Sequence, residues 1–303
     1  MAHLFSDIGK PILFANNISL ASIGVFDSGV GGLSVLREIR ALYPQEGVIY
    51  LADQAHVPYG SRPLDQVQAY SEGITRYFVE DVVDTAAGRR AKLVVVACNT
   101  ASAAALRYLR RVFPKVPFVG MEPAVKPAAE HTNTGVVGVL ATPATFQGAL
   151  YASVVERFAS GVTVLQDTCP GLVAQIENGN LDGDETEAIL ERALTPMLAQ
   201  GIDTVVLGCT HYPFVIPLIQ EIVGPQVRVI DPAPAVARQV GRLLEAGSLF
   251  RSPGGPEDHS RKIRFLTTGN PAAIEALLPR FVGQQAEVQQ MYWVGNRLEK
   301  NRN

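Results

Sequence analysis

Residues 93–102 read Leu-Val-Val-Val-Ala-Cys-Asn-Thr-Ala-Ser. A leucine and three valines in a row form the apolar, β-branched pattern of a strand buried on both faces. Cys98, Asn99 and Thr100 follow, and Ala101–Leu106 reads as the start of a helix. Cys98 is therefore expected where a parallel strand hands over to a helix, the edge at which open α/β sheets bind their ligands. The stretch returns at 204–213 as Thr-Val-Val-Leu-Gly-Cys-Thr-His-Tyr-Pro, with Cys209 and Thr210 in the same places. Two matching strand-end thiols predict two halves built alike and a chemistry that takes one thiol from each.

Outward from these stretches, strands alternate with helices. Strands are expected at Ser22–Phe26, Val48–Ala52, Phe118–Val119, Gly135–Leu140, Thr163–Gln166, Val227–Ile230 and Arg264–Thr267. Helices are expected from Leu33 to about Leu42, from Pro63, up to about Phe113, and from Pro143 to about Phe158. Others follow at Leu172–Glu177, Asp184–Gln200, Phe214–Val223, near Val236–Glu245 and from Pro271. The alternation predicts an α/β protein of two similar doubly wound parallel-sheet domains with the site in the cleft between them. Short linkers near 120 and 231 set the expected division. Residues 22–119 form a first domain, 120–230 a second, and 231–303 return to the first. Residues 1–21 have no clear period and read as an extension; Ser252–Ser260 reads as a polar loop.

The totals agree with a soluble two-domain chain. Of 303 residues, 47% are hydrophobic and 18% charged, and 26 basic against 29 acidic residues leave a net charge of −3. That balance favours neither nucleic acid nor an anionic membrane as a partner. No run approaches the roughly 20 apolar residues of a membrane span, and a signal peptide is not expected because the charged end and cleavage pattern at the N-terminus are weak. There are three cysteines, none in a CxxC pair. A disulfide framework is not expected, and a reducing cytoplasm is.

Candidate chemistry sits in the loops. Asp27-Ser28-Gly29-Val30-Gly31-Gly32 fits neither the dinucleotide nor the P-loop pattern. Its N–H groups could serve an anion such as a carboxylate, or the turn could be structural. Asp27 at a strand end favours a site. A cysteine alone is most often a small core residue, but two at equivalent strand ends point to reactive thiols. His211 lies two residues beyond Cys209 and could accept or relay its proton; Asp27 ends another strand of the domain that holds Cys98. Zinc is the rival for Cys-x-His, yet only two ligands lie close in sequence where a structural site needs four, so no metal is expected. Cys169 has no matching strand end and reads as packed or loop. Pro58-Tyr59-Gly60 is a tight turn that could close over a small ligand.

Phe26–Val35, Val57-Pro58-Tyr59-Gly60, Cys98–Ser102 and Gly208–Pro213 together resemble the cofactor-independent aspartate/glutamate racemase superfamily, and its glutamate branch in particular. The resemblance covers about residues 22–285. It departs at Asp53-Gln54-Ala55-His56, where the family commonly has Asp-Thr-Ala-Arg. It implies racemisation of L-glutamate to D-glutamate for peptidoglycan, with no pyridoxal phosphate or other cofactor. It implies Cys98 and Cys209 as the two acid/base residues, with Asp27 and His211 as their proton partners. Asp27, Ser28, Tyr59, Gly60, Asn99, Thr100, Thr142, Thr145, Thr210 and His211 are expected to contact substrate. Asp53 and Glu177 match acidic positions of lesser weight. A homodimer and a muramyl-precursor effector are further implications, the latter tied to the N-terminal extension.

Overall fold

Val25 and Phe26 are adjacent in an extended strand, so they point to opposite faces, and both are fully buried. A strand that needs cover on both sides belongs inside a layered α/β sheet. In a computed structural model describing residues 18–81, 90–251 and 263–300, β1 (Ile23–Asp27) lies between β2 (Val48–Ala52) and β3 (Leu93–Val96), with β4 (Phe118–Gly120) beyond β3. Val25, Tyr50 and Val95 meet a core shared with α1 (Leu33–Leu42), α10 (Ala233–Ala246) and α11 (Pro271–Val282). Phe26, Leu51 and Val96 face the other way, onto α2 (Leu64–Glu80) and α3 (Asn99–Val112).

The second sheet is built from β5 (Val136–Ala141), β6 (Thr163–Asp167), β7 (Thr204–Gly208) and β8 (Arg228–Ile230). Its strand order is 6-5-7-8, and the first sheet contains 2-1-3-4. The two halves thus repeat one winding, with β3 equivalent to β7 and β1 to β5. Val137 and Val139 face α4 (Val125–His131) and α6 (Ala149–Phe158), while Leu140 and Leu207 face α7 (Leu172–Glu177), α8 (Asp184–Ala199) and α9 (Ile216–Val223). The doubly wound α/β architecture is as the sequence predicts.

The details differ in several places. After β8 the chain returns to the first sheet through α10, β9 (Ile263–Thr267) and α11, and then adds an unforeseen hairpin, β10 (Val288–Val294) and β11 (Arg297–Lys300). That hairpin holds the antiparallel pair of an otherwise parallel sheet. It also packs on α2. Helix α4 was not expected either, and Gly148 splits the expected helix at 143–158 into α5 (Pro143–Gln147) and α6. Pro63 caps α2 and does not open it, because its ψ of 139° is extended. Of the N-terminal extension only residues 18–21 are described, with a turn at Ile18–Leu20; residues 1–17 and the loop at 252–260 lie outside the described residues. Among the described residues no helix is long and apolar enough to cross a membrane.

Candidate active site

In each sheet the winding starts at an inner strand, steps out one way and crosses back, so β1/β3 and β5/β7 are the points where the order reverses. Ligands of open α/β sheets bind outside the carboxyl ends of such strands. Asp27 closes β1, Cys98 follows β3, Thr142 follows β5 and Cys209 follows β7. The turns after these strands meet across the two halves. Ser28, Pro58, Tyr59, Gly60, Cys98, Asn99, Thr100, Thr142, Val173, Cys209, Thr210 and His211 line one cavity. Asp27 and Thr145 stand immediately behind its wall. Pro58 belongs to the turn expected to close over a small ligand, whereas Val173 carried no signal in the sequence. The cavity holds about 20 Å³ of free space, room for about one water. An amino acid enters only if the two sides part.

The two thiols have unlike neighbours. Cys98 caps α3, with its sulfur accepting from the Ala101 N–H at 3.5 Å. Burial, then the nearby Asp27 charge, push its thiol well above the usual range. Asp27 is itself fully buried, and burial raises its carboxyl despite the opposing charge of His211. On the other side, the Cys209 sulfur lies 3.7 Å from His211 Nδ1, and His211 Nε2 lies 2.6 Å from Glu177 Oε1. Burial alone would lower His211, but hydrogen bonds to the Cys209 sulfur and the Glu177 carboxylate outweigh it and raise the imidazole well above its ordinary value. Burial likewise works to raise Glu177, and its bond to His211 wins and holds it below the ordinary range. One station is a thiol pushed up beside a carboxyl; the other is a sulfur beside an imidazole drawn towards its protonated form.

The glycine-rich turn does bind carboxylates, but they are the protein's own. Ser28 N–H and Gly32 N–H donate to Asp27 at 2.7 and 2.6 Å, and Val30 N–H donates to Glu177 at 2.8 Å. Glu177 comes from the second half, so the turn also joins the halves. Gly31 is glycine because a Cβ there would sit 2.4 Å from His211 Nδ1. Thr142 Oγ1 lies 2.9 Å from Thr100 Oγ1 and 3.0 Å from Thr145 Oγ1, a second bridge across the cleft. Thr210 reaches Asp27 at 3.4 Å. Asn99 stands apart. It is buried, and neither its amide nitrogen nor its oxygen has a hydrogen-bond partner. Buried polar groups are nearly always paired, so this amide is poised for a polar ligand in the cavity.

Asp53 is not in the cavity. It is fully buried, and its carboxylate is engaged by Tyr59, His56, Thr268 and Trp293. Cys169 is buried at 2% exposure in the second half's core, and burial lifts its thiol out of reactive range.

Residues 23–240 match the model of the Asp/Glu/Hydantoin racemases. The chain belongs to that family. It is 50% identical to the glutamate racemase of Roseiflexus sp. strain RS-1 over 86% of this chain and 92% of that protein. It is 49% identical to the glutamate racemase of Pseudomonas aeruginosa strain PAO1 over 89% of this chain and 97% of that one. Among solved structures it is similar to Escherichia coli glutamate racemase in complex with L-glutamate and the activator UDP-MurNAc-Ala. The TM-score is 0.77 at 31% identity, covering 91% of this chain and all of that one. Another is Francisella tularensis glutamate racemase in complex with D-glutamate, at TM-score 0.75 and 26% identity over 92% and 98% of the two chains.

The Glu177–His211 contact sets an expected pH dependence. The Glu177 carboxylate helps to keep His211 protonated. In Glu177→Gln that support is lost, His211 gives up its proton at lower pH, and the alkaline limb of kcat/KM moves to lower pH. A pH–rate profile measures it; a limb that stayed in place or moved upward would contradict the coupling.

Proposed function

We propose that this racemase interconverts L- and D-glutamate through its two cysteines, without a cofactor, and so supplies D-glutamate for peptidoglycan. The observation that carries it is the pair of thiols at equivalent strand ends, on opposite sides of one cavity, each with its own proton partner. Inverting Cα requires a proton to leave one face and another to arrive on the opposite face. In the L-to-D direction Cys209, as thiolate, takes the Cα proton, and the electron pair it leaves spreads into the adjoining carboxylate. Cys98, as thiol, then gives its proton to the other face. The product leaves with the two sulfurs' roles exchanged, and the reverse turnover resets them. A Cys98 thiol held protonated and an imidazolium beside Cys209 favour this starting state.

The carbanion needs oriented donors in a dry site. Asn99 and Thr100, in the first turn of the 14-residue helix α3, supply an amide, a hydroxyl and the positive end of the helix dipole. Thr210 supplies a hydroxyl from the opposite half. Asp27 and His211 act as proton partners, Ser28, Tyr59, Gly60, Thr142 and Thr145 as contacts, and Glu177 as the group that holds His211. The presence of two sheets supports a division into 22–119, completed by 231–303, and 120–230. The resemblance also carries a cytoplasmic homodimer, which sedimentation and cell fractionation measure.

Incubation with L-glutamate in D₂O without pyridoxal phosphate tests the proposal. Optical activity falls and deuterium appears at Cα of the product. Faster turnover of aspartate than of glutamate in the same assay overturns the substrate, and racemisation without deuterium overturns the proton mechanism. Regulation extends the reading, since the Escherichia coli relative binds UDP-MurNAc-Ala as an activator. A groove of about 840 Å³ away from the thiols, lined among others by Arg110, Lys126, Arg157, Arg228 and Arg238, has the cations a diphosphate requires. Adding that nucleotide to the same assay raises the rate; an unchanged rate removes the effector.

A further inference from the structure

Asp53 follows β2, on the rim of the cleft, and four side chains converge on its buried carboxylate. Tyr59 hydroxyl donates to Oδ2 at 2.6 Å, and His56 Nδ1 lies 2.8 Å from the same oxygen. Thr268 hydroxyl and the Trp293 indole N–H each donate to Oδ1 at 2.7 Å. A buried carboxylate so engaged is fixed in place, and removing one donor leaves a lone pair stranded away from water. Asp53 is therefore a junction and has no free edge to offer a substrate.

What the junction joins is the cleft and the C-terminal hairpin. Tyr59 lines the cavity. Gly60, beside it, lies so close to the second half that a Cβ there would sit 2.6 Å from Thr142 Cβ. On the other side, Trp293 comes from β10, 240 residues away from Asp53 in the chain. Aromatic rings fill the space between. His56 stacks on Tyr70 with centroids 3.8 Å apart, and Trp293 meets the His56 ring edge-on at 5.4 Å. Tyr70 is also 5.8 Å from both Tyr59 and Trp293.

We propose that Trp293 is a positioning residue for racemisation: through Asp53 and the His56–Tyr70 stack it holds Tyr59 and Gly60 at the wall that closes on the amino acid. The proposal rests on the glutamate reading above for its kinetic part. The hairpin thereby sets how well the closed cleft grips substrate, while the thiols and their proton partners are untouched.

Trp293→Phe keeps an aromatic ring in the stack and removes the N–H. Amide hydrogen exchange without ligand reads the coupling directly. Exchange in residues 54–61 becomes about tenfold faster, while exchange in residues 204–215 around Cys209 stays as in wild type. In steady-state assays with glutamate, KM rises about tenfold and kcat stays within about twofold, the mark of lost binding rather than lost chemistry. Asp53→Asn, which keeps the side chain's shape, gives the same split, and the double variant is no worse than Asp53→Asn alone because the Trp293 link acts through Asp53. Unchanged exchange in residues 54–61 overturns the proposal, as does a fall in kcat at constant KM, or effects that simply add. If wild type fails to racemise glutamate, the substrate reading falls, and the exchange measurement still decides whether Trp293 holds the loop.

Discussion

Cys98→Ala and Cys209→Ala are each expected to lose racemisation by about 10²- to 10⁴-fold, the usual scale for removing a positioned acid or base, while the far-ultraviolet circular dichroism stays as in wild type. Both cysteines are small, 5% exposed, and set at strand ends rather than in the strands, so alanine leaves the sheets intact. The variants should not be silent in the same way. With Cys98 gone, Cys209 can still lift the Cα proton from L-glutamate and return one from solvent to the same face. Deuterium then enters L-glutamate without inversion. With Cys209 gone, the same one-sided exchange is confined to D-glutamate. Mass spectrometry on enantiomers separated after reaction in D₂O distinguishes the two. Full racemisation by either variant, or exchange into the opposite enantiomer, would remove the two-thiol mechanism or its assignment of faces.

A second large effect belongs to stability, far from the chemistry. Lys92 and Glu46 form an ion pair at 2.5 Å with both side chains wholly buried. Lys92 also donates to the carbonyls of Ser19 and Leu249, at 2.7 and 2.8 Å, and Glu46 accepts from the Arg251 N–H at 2.9 Å. The cluster fastens the segment before β1 and the segment after α10 to the foot of β3. Burial lowers the Lys92 pKa, with Glu46 pulling the other way. Glu46→Ala strands the ammonium without its counter-charge, and breaking a buried pair in this way costs about 3–5 kcal/mol. Urea unfolding of Glu46→Ala measures that loss. Glu46→Leu with Lys92→Met should recover most of it, because two apolar groups carry no unpaired charge. A loss under about 1 kcal/mol for Glu46→Ala would mean that water reaches Lys92.

The residues that act through their position on a strand were legible in the sequence. Cys98 and Cys209 follow matching apolar runs, and Asp27 ends another, so an alternation rule places all three at one edge. Glycine repeats marked the turn that receives Asp27, though not that its N–H groups are taken by Asp27 and Glu177. What could not be read depends on contacts between distant residues. The bond from Val30 to Glu177 spans 147 positions, and that from Trp293 to Asp53 spans 240. Helix α4 is a single short stretch carrying Pro127 within it, a residue that argues against a helix on local grounds. The terminal hairpin did leave a trace. Gly295-Asn296 is a two-residue turn signal between β10 and β11, but the two glutamines near the start of β10 obscure the apolar alternation before it.

The two halves repeat one strand order, yet they put different groups behind their sulfurs, a carboxyl at Cys98 and an imidazolium at Cys209. Thermodynamics limits what that inequality can express. The two glutamates are mirror images, so their equilibrium constant in water is one, and the Haldane relation forces kcat/KM to be equal in the two directions at every pH and in every variant. Asp27 and His211 cannot make the enzyme prefer one enantiomer by that measure. Their difference can surface only as unequal kcat values matched by equally unequal KM values: one hand of substrate held tightly and turned over slowly, the other held loosely and turned over fast. On the proposed two-thiol mechanism, the unlike partners of two alike strands are expected to decide which hand saturates the enzyme first.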